Sequence, residues 1–455
     1  MKNIELLKTM LALPLYTGVS IDTRTLVPGD LFIALDGPNF QGHRFTQEAL
    51  AKGACAVVQA HENNTQDPRV LWVSDSLALL QYIARDRRKK FRGLCYAVTG
   101  SVGKTTTKEG LVHVLKHFGP THASVSSYNN HIGVPLTLAN CPPEARYGIF
   151  EVGTNHPGEI EELVSYVQPD VSILTAISEA HIENFQTLKA IAEEKFKIFS
   201  GKIGILPTHC PFIEVLNKKN LQWITYGIEE GDVHCKKVNF ESKAQALLHV
   251  YTPWGEISYR PSSWCSHWIE GNLGILAALS TAGVDLQEAS RYLSSFSPLK
   301  GRGAFIYYDS LDIGCIDESY NAAPLAMRAC IQAFGLSEVP GRKILLLGEM
   351  GELGDHGPRL HEELIPFINA VGAEHIFLVG ALFQESAFLL AQKGASVHWG
   401  LELFLLLDTI KFLLLPKDTL LVKGKNSANM CQIFSWLESW NAVTFSQEND
   451  WKIRQ

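Results

Sequence analysis

The run Tyr96-Ala97-Val98-Thr99-Gly100-Ser101-Val102-Gly103-Lys104-Thr105-Thr106-Thr107-Lys108 decides how the rest of the chain is read. A short apolar stretch leads into two glycines, a lysine and three threonines, and Glu109, Leu111, Val112 and Leu115 then carry a helical pattern. The order is strand, phosphate loop, helix. Glycines let backbone N–H groups close round an anion, and the helix N-terminus adds the positive end of its dipole. In such a loop, made here by Gly100, Ser101, Val102 and Gly103, Lys104 neutralises β- and γ-phosphate oxygens and the Thr105 hydroxyl ligates Mg2+. The general pattern has one more glycine, at the place held here by Val98, so the loop is the shorter Gly-x-x-Gly-Lys-Thr-Thr.

At 455 residues the chain is too long for one ordinary domain, and length predicts about three. Hydrophobic residues at 46% and charged residues at 19% describe a globular protein with ample core and argue against disorder. A formal charge of −7 gives no reason to expect nucleic acid or an acidic membrane as partner. The basic run Arg85-Asp86-Arg87-Arg88-Lys89-Lys90-Phe91-Arg92 reads as a solvated helix end before a domain boundary. Nine cysteines stand singly, with neither a zinc nor a disulfide frame. The first residues lack a long apolar segment after a basic start, and the apolar run from 401 to 415 is broken by Glu402, Asp408 and Lys411. A cytoplasmic, reducing setting without a membrane span is the expectation.

Residues 1 to about 90 alternate short β-like runs at 31–35, 56–58 and 70–73 with a helical stretch from Thr46 to Lys52, predicting a small α/β unit. The turns Ser20 to Arg24 and Gly37 to Phe45 carry Asp22, Thr23, Arg24 and His43, residues of the kind that contact ligands when held on a scaffold, or that simply form turns. From about 94 to 298 strand and helix alternate, predicting a parallel sheet wound round the phosphate loop. Asn129 and Asn130 enter one helix. Glu151 ends a strand before a glycine turn, where a carboxylate beside a phosphate loop is placed to hold Mg2+. His181 follows another strand as a metal-ligand or structural histidine, and the next helix carries Glu193, Glu194, Lys195 and Lys197, between whose lysines spacing does not choose. Asn272 opens an apolar helix and is suited to a base edge. After the Pro/Gly boundary Pro298 to Gly303, four apolar strands near 313, 343, 375 and 419 predict a second doubly wound sheet.

Taken together, the chain resembles the Mur ligase family over nearly its whole length. The resemblance rests on Asp22-Thr23-Arg24, Pro28 to Phe32, Thr99 to Lys108, Tyr128 to Pro135, Gly153 to Ile160, Ala180 to Glu183, Asp317 to Pro324, Gly348 to Gly354 and Leu421 to Gly424. It implies three α/β domains: residues 1–90 holding a UDP-sugar, 91–299 forming an ATPase, and 300–455 forming a Rossmann-like unit that closes over the nucleotide. It also implies an ATP-dependent amide ligase of peptidoglycan precursor synthesis, monomeric, with UDP-N-acetylmuramoyl-tripeptide and D-alanyl-D-alanine as its substrates. In that scheme the γ-phosphate passes to the tripeptide carboxylate, and the dipeptide amine attacks the resulting acyl phosphate. Positioning and charge neutralisation then carry the reaction.

The same resemblance assigns roles. Lys104 cradles phosphates together with Thr106, Thr105 and Glu151 hold one Mg2+, and His181 helps hold a second. Lys195 falls where the family has a lysine carbamoylated by CO2. Asn272 and Asn321 contact the adenosine side, Arg302 the γ-phosphate and Asp317 the ribose, while Asp22, Thr23, Arg24, His43 and Asn129 lie on the UDP-sugar substrate's side. This chain departs from the family at Trp268-Ile269, where His-Asn is common, at Glu318 and Ala323, and at Lys425-Asn426, where Ser-Arg is usual. The rival readings are another ligase of this fold, including a folylpolyglutamate synthase, and a nucleotide-binding regulator without turnover.

Overall fold

A computed structural model describes residues 15–37, 40–60, 66–216, 221–242, 245–263 and 265–453. Pro38 and Asn39 of the polar turn quoted above lie outside them. Three sheets carry the architecture.

The strand before the phosphate loop, Leu94–Thr99, is buried along nearly its whole length. It pairs in parallel with Val171–Leu174 on one side and Tyr147–Glu151 on the other. Strands covered by helices on both faces need continuous apolar runs rather than alternation, which is what the sequence supplies. The chain winds in both directions from Leu94–Thr99, so the C-terminal ends of these three strands frame the crevice where doubly wound sheets bind ligands. Gly100, Glu151 and Thr175 lie at or just beyond those ends.

The nine-stranded central sheet is not parallel throughout, as the sequence reading expected. Val233–Ser242, Gln245–Tyr251 and Ile257–Tyr259 form antiparallel pairs at one edge. The chain segments between them are too short for a crossover helix, so hairpin pairing is the available solution. In the C-terminal unit the sheet has six strands, in the order Ala304–Tyr308, Ile313–Glu318, Thr419–Lys423, Lys343–Gly348, His375–Val379, Val397–Gly400. The two outermost were not anticipated. Ala304–Tyr308 runs antiparallel and has Phe305 and Tyr307 exposed, so it lacks the apolar signature of its neighbours.

The N-terminal sheet is four-stranded and parallel. Asn140 of the central unit ties it down, accepting from Val19 N at 2.8 Å and donating to Val19 O at 2.9 Å. The basic run is only partly a solvated helix end. Arg88 is largely buried and donates to Val167 O and Gln168 O, both at 2.6 Å, capping the carbonyl end of the helix Glu159–Val167. A guanidinium there answers both the unpaired carbonyls and the negative end of the helix dipole.

One apolar cluster runs unbroken from Ile182 and Phe185 of the central unit into Met350, Leu353 and Met327 of the C-terminal unit, so the two are docked. All nine cysteines are free thiols; Cys95, Cys141, Cys210, Cys315 and Cys330 are buried, and Cys431 is exposed. Among the described residues no helix is long and apolar enough to cross a membrane.

Candidate nucleotide and metal site

The phosphate loop is held from below. Gly100 has φ +153° and Gly103 +83°, the latter immediately before the helix Lys104–Leu115. Ser101 N donates to Ala176 O at 2.8 Å and Ser178 N to Ser101 Oγ at 2.9 Å, while Thr175 Oγ1 lies 2.5 Å from Val102 O. A Cβ on Gly100 would fall 1.9 Å from Thr175 Oγ1. Gly100→Ala is therefore expected to displace the loop, costing about 1–3 kcal/mol of stability and weakening ADP binding, which calorimetry and thermal melts would register together.

Lys104 turns back on the loop, its Nζ donating to Gly100 O at 2.7 Å, and burial pushes its pKa down. Thr105 Oγ1 donates to Glu151 Oε2 at 2.9 Å, and Asn129 Nδ2 to Glu151 Oε1 at 2.7 Å. Glu151 is 1% exposed. A carboxylate beside a hydroxyl, both fixed before any ligand arrives, is a hard-oxygen donor set suited to Mg2+.

The loop that carries Asn129 is fixed by a residue the sequence did not single out. Lys108, wholly buried, donates to Ser124 O and Ser126 O, both at 2.6 Å. Those contacts present Ser127, which sits 3.3 Å from Thr105 Oγ1, 3.4 Å from Arg302 Nη2 and 3.0 Å from the Tyr320 hydroxyl. The Arg302 guanidinium stacks 4.0 Å over the Tyr320 ring. Arg302 and Tyr320 come from the C-terminal unit, so both units meet at one serine.

Between them lies a cavity of about 560 Å3, a size ordinary for a small-molecule site. Ser101, Val102, Gly103, Lys104, Thr105 and Thr106 form its floor, with Asn129, Glu151 and His181 beside them. Asn272, Arg302 and Asn321 complete the lining from the far side. Asn272 is 1% exposed and its amide lies beside the buried Tyr259 hydroxyl at the edge of the lining. Trp268, at the family departure, stacks on Phe296 with ring centroids 5.4 Å apart.

Two expected residues are placed differently. Asp317 does not line the cavity: its carboxylate accepts from Gly301 N at 2.8 Å, Ser319 N at 3.1 Å and Ser319 Oγ at 2.6 Å, which fixes the turn bearing Arg302. Lys195 lies behind the lining, 1% exposed, with its pKa pushed well down by burial and then by the nearby Lys104 ammonium. Glu194 beside it caps the helix Glu159–Val167 through Gly158 N and Ile160 N.

His267, Glu318 and Cys330 also cluster in the lining. Lys423 Nζ already donates to Glu318 Oε2 at 3.2 Å and to Asn321 O at 3.1 Å, supplying the positive charge there.

The N-terminal residues form a separate group. Arg24 grips Asp22 through two nitrogens, at 3.0 Å and 2.6 Å, Lys52 holds Thr23 O at 2.9 Å, and His43 Nδ1 lies 2.9 Å from Asp36 Oδ1. None of Asp22, Thr23, Arg24 and His43 lines the nucleotide cavity. Arg24 is within electrostatic range of Tyr128, whose neighbours Ser127 and Asn129 do.

Fold and site define a three-unit enzyme with a phosphate-loop sheet at its centre and a second sheet closing the cleft. The chain belongs to the Mur ligase family. The Mur ligase middle domain profile matches residues 98–279, the profile described as "Mur ligase family, catalytic domain" residues 15–88, and the "Mur ligase, glutamate ligase domain" residues 308–426. The UDP-N-acetylmuramoyl-tripeptide–D-alanyl-D-alanine ligase of Rickettsia prowazekii is 32% identical over 438 residues, covering 92% of this chain and 95% of its own. The enzyme of that name from Synechocystis is 33% identical, covering 94% and 93%. Among solved structures, MurF from Acinetobacter baumannii aligns with a TM-score of 0.81 at 28% identity, covering 92% of each chain. The MurF ligase of Thermotoga maritima in complex with ADP aligns at 0.79 with 25% identity, covering 94% and 99%.

Proposed function

We propose that this chain is an ATP-dependent ligase that joins D-alanyl-D-alanine to UDP-N-acetylmuramoyl-tripeptide through an acyl phosphate, in peptidoglycan precursor synthesis. The observation that carries the reading is the chain of contacts Asn129–Glu151–Thr105–Ser127–Arg302, which sets oxygen donors and a cation round one phosphate loop. The near full-length relatives with that activity in their names support the choice of substrates.

Residues 1–90 take the UDP-sugar, 91–299 the ATP, and 300–455 close the cleft and receive the dipeptide. Lys104 and Arg302 neutralise the transferring phosphoryl group from opposite sides, because charge accumulates on its oxygens as the bond to ADP breaks. Thr105 and Glu151 hold one Mg2+, and His181 with carbamoylated Lys195 a second. Bound there, the ions neutralise phosphate charge. Asn272 and Asn321 face the adenosine, Asp317 holds Arg302 in place, and Asp22, Thr23, Arg24, His43 and Asn129 orient the acceptor. The enzyme acts as a cytoplasmic monomer.

The test is a matrix of candidate UDP-sugar acceptors against single amino acids and D-alanyl-D-alanine, read by phosphate release. Turnover is expected with the tripeptide acceptor plus the dipeptide. Activity with a single amino acid and none with D-alanyl-D-alanine would overturn the substrate assignment.

A further inference from the structure

The segment that joins the central and C-terminal units carries Arg302 between two glycines in left-handed backbone, Gly301 at φ +76° and Gly303 at φ +103°. The strand end that follows pins this turn. Gly301 N donates to Asp317 Oδ2 and Gly303 N to Asp317 O, both at 2.8 Å, and Tyr320 N donates to Gly301 O at 3.1 Å. A Cβ on Gly301 would lie 3.0 Å from Tyr320 Cβ, so Tyr320 packs directly against the turn.

These contacts fix the backbone at Arg302 and leave its guanidinium at the end of a long, flexible stem. Two groups hold that end over the cavity: the Tyr320 ring, whose centroid is 4.0 Å from the guanidinium carbon, and Ser127 Oγ, 3.4 Å from Nη2. The Tyr320 hydroxyl donates to the same Ser127 Oγ at 3.0 Å. A hydroxyl oxygen has two acceptor lone pairs, and Ser127 gives one to each. Ser127 belongs to the central unit and stands 3.3 Å from Thr105 Oγ1 at the phosphate loop, whereas Tyr320 and Arg302 travel with the C-terminal unit.

We propose that Tyr320 is a positioning residue acting through Arg302: its ring carries the guanidinium, and its hydroxyl, bonded to Ser127, sets that ring against the phosphate loop once the two units are docked. The placement of Arg302 is thereby conditional on docking. A guanidinium stacked on an aromatic face keeps its N–H groups in the ring's plane of approach and free to reach a phosphate edge. Misplacing such a group by about 1 Å costs on the order of 10^2-fold in rate. The inference rests on the assignment of Arg302 to the γ-phosphate made above.

The experiment uses the full chain. Tyr320→Phe keeps the ring and loses the hydroxyl, Tyr320→Leu loses the ring, and Arg302→Ala removes the group that Tyr320 holds. Tyr320 is 39% exposed, so its variants should melt close to the wild type. Calorimetry in Mg2+ compares ADP with the non-hydrolysable imido analogue of ATP. The wild type is expected to favour the triphosphate. Tyr320→Leu should lose about 10-fold of that preference and Tyr320→Phe about 5-fold, with ADP affinity unchanged in both. Arg302→Ala should lose at least as much as Tyr320→Leu, and combining the two should cost nothing more, because both remove one contact. In turnover, Tyr320→Leu should lower kcat about 10^2-fold and leave the KM for D-alanyl-D-alanine unchanged. Fold-changes that multiply in the double variant, an equal loss of ADP and triphosphate affinity in Tyr320→Leu, no loss in either Tyr320 variant, or wild-type binding by Arg302→Ala would each overturn the proposal. If the wild type is inert across the acceptor matrix, the substrate reading fails on its own, and the nucleotide preferences still decide the role of Tyr320.

Discussion

Lys104→Ala is expected to abolish ligation, with turnover down at least about 10^3-fold, or roughly 4 kcal/mol of transition-state stabilisation, in a protein that remains folded. The size of the loss follows from place: Lys104 is a cation on the floor of the cavity, where neighbouring groups have been stripped of water and charge is weakly screened. Retention of fold follows from the same burial. Among the described residues the Nζ donates to Gly100 O alone, and alanine suits the first residue of a helix. Because burial lowers the folded-state pKa below the ordinary 10.5, the charged form costs stability at neutral pH, a cost that vanishes only above that ordinary value. Removing the ammonium should thus leave the melting temperature unchanged or slightly raised. Steady-state phosphate release beside a thermal melt checks both halves, and a normal rate would refute the phosphate assignment.

Lys195→Ala should lower turnover by about 10^2-fold or more, and added bicarbonate should not restore it. The wild type, by contrast, should lose activity in CO2-free buffer and recover it with bicarbonate. Only an unprotonated amine attacks CO2, and burial together with the Lys104 ammonium pushes the Lys195 pKa well below its ordinary value, which enlarges the share of the reactive form. The resulting carbamate is an anion, which converts repulsion from Lys104 into attraction. The pH dependence has a definite sign: activity falls as pH falls, because protonation removes the nucleophile and acid releases the CO2. Intact mass under native conditions should show the increment of one CO2 in the wild type and none in the variant. An active enzyme with an unmodified lysine would rule the carbamate out.

The parts of this site that could be read from the sequence are those written in consecutive residues. The loop from Gly100 to Thr106 is local: its glycines, lysine and threonines work on one ligand through a single turn. Glu151 ends one apolar strand of a parallel sheet and His181 comes after another, and such strands deliver their C-terminal ends to a common edge, which is why both drew a reading. Ser127 was invisible, since a serine in a polar turn means nothing until Thr105, Arg302 and Tyr320 surround it. Lys108, quoted only as the end of the loop run, drew no reading of its own, and only the fold brings two serine carbonyls to its ammonium. Asp317 was read as a ribose contact; that its carboxylate also accepts three hydrogen bonds from the turn that carries Arg302 and from Ser319 shows only in the fold. Residues 201 to 265 were legible as strands and turns, but not the antiparallel pairing at 233–259, because a helix-free stretch does not say which strands pair. The exposed aromatic residues of Ala304–Tyr308 concealed a strand.

The distribution of thiols has a practical consequence. Cys431 is the cysteine of this chain that lies exposed, and it sits on the C-terminal unit just before the helix Gln432–Ile453. A maleimide dye or spin label would reach it ahead of the half-buried Cys55, Cys235 and Cys265 and long before the buried five. The natural sequence therefore carries its own attachment point for a reporter of how the C-terminal unit moves when nucleotide arrives, with no surface cysteine to engineer in.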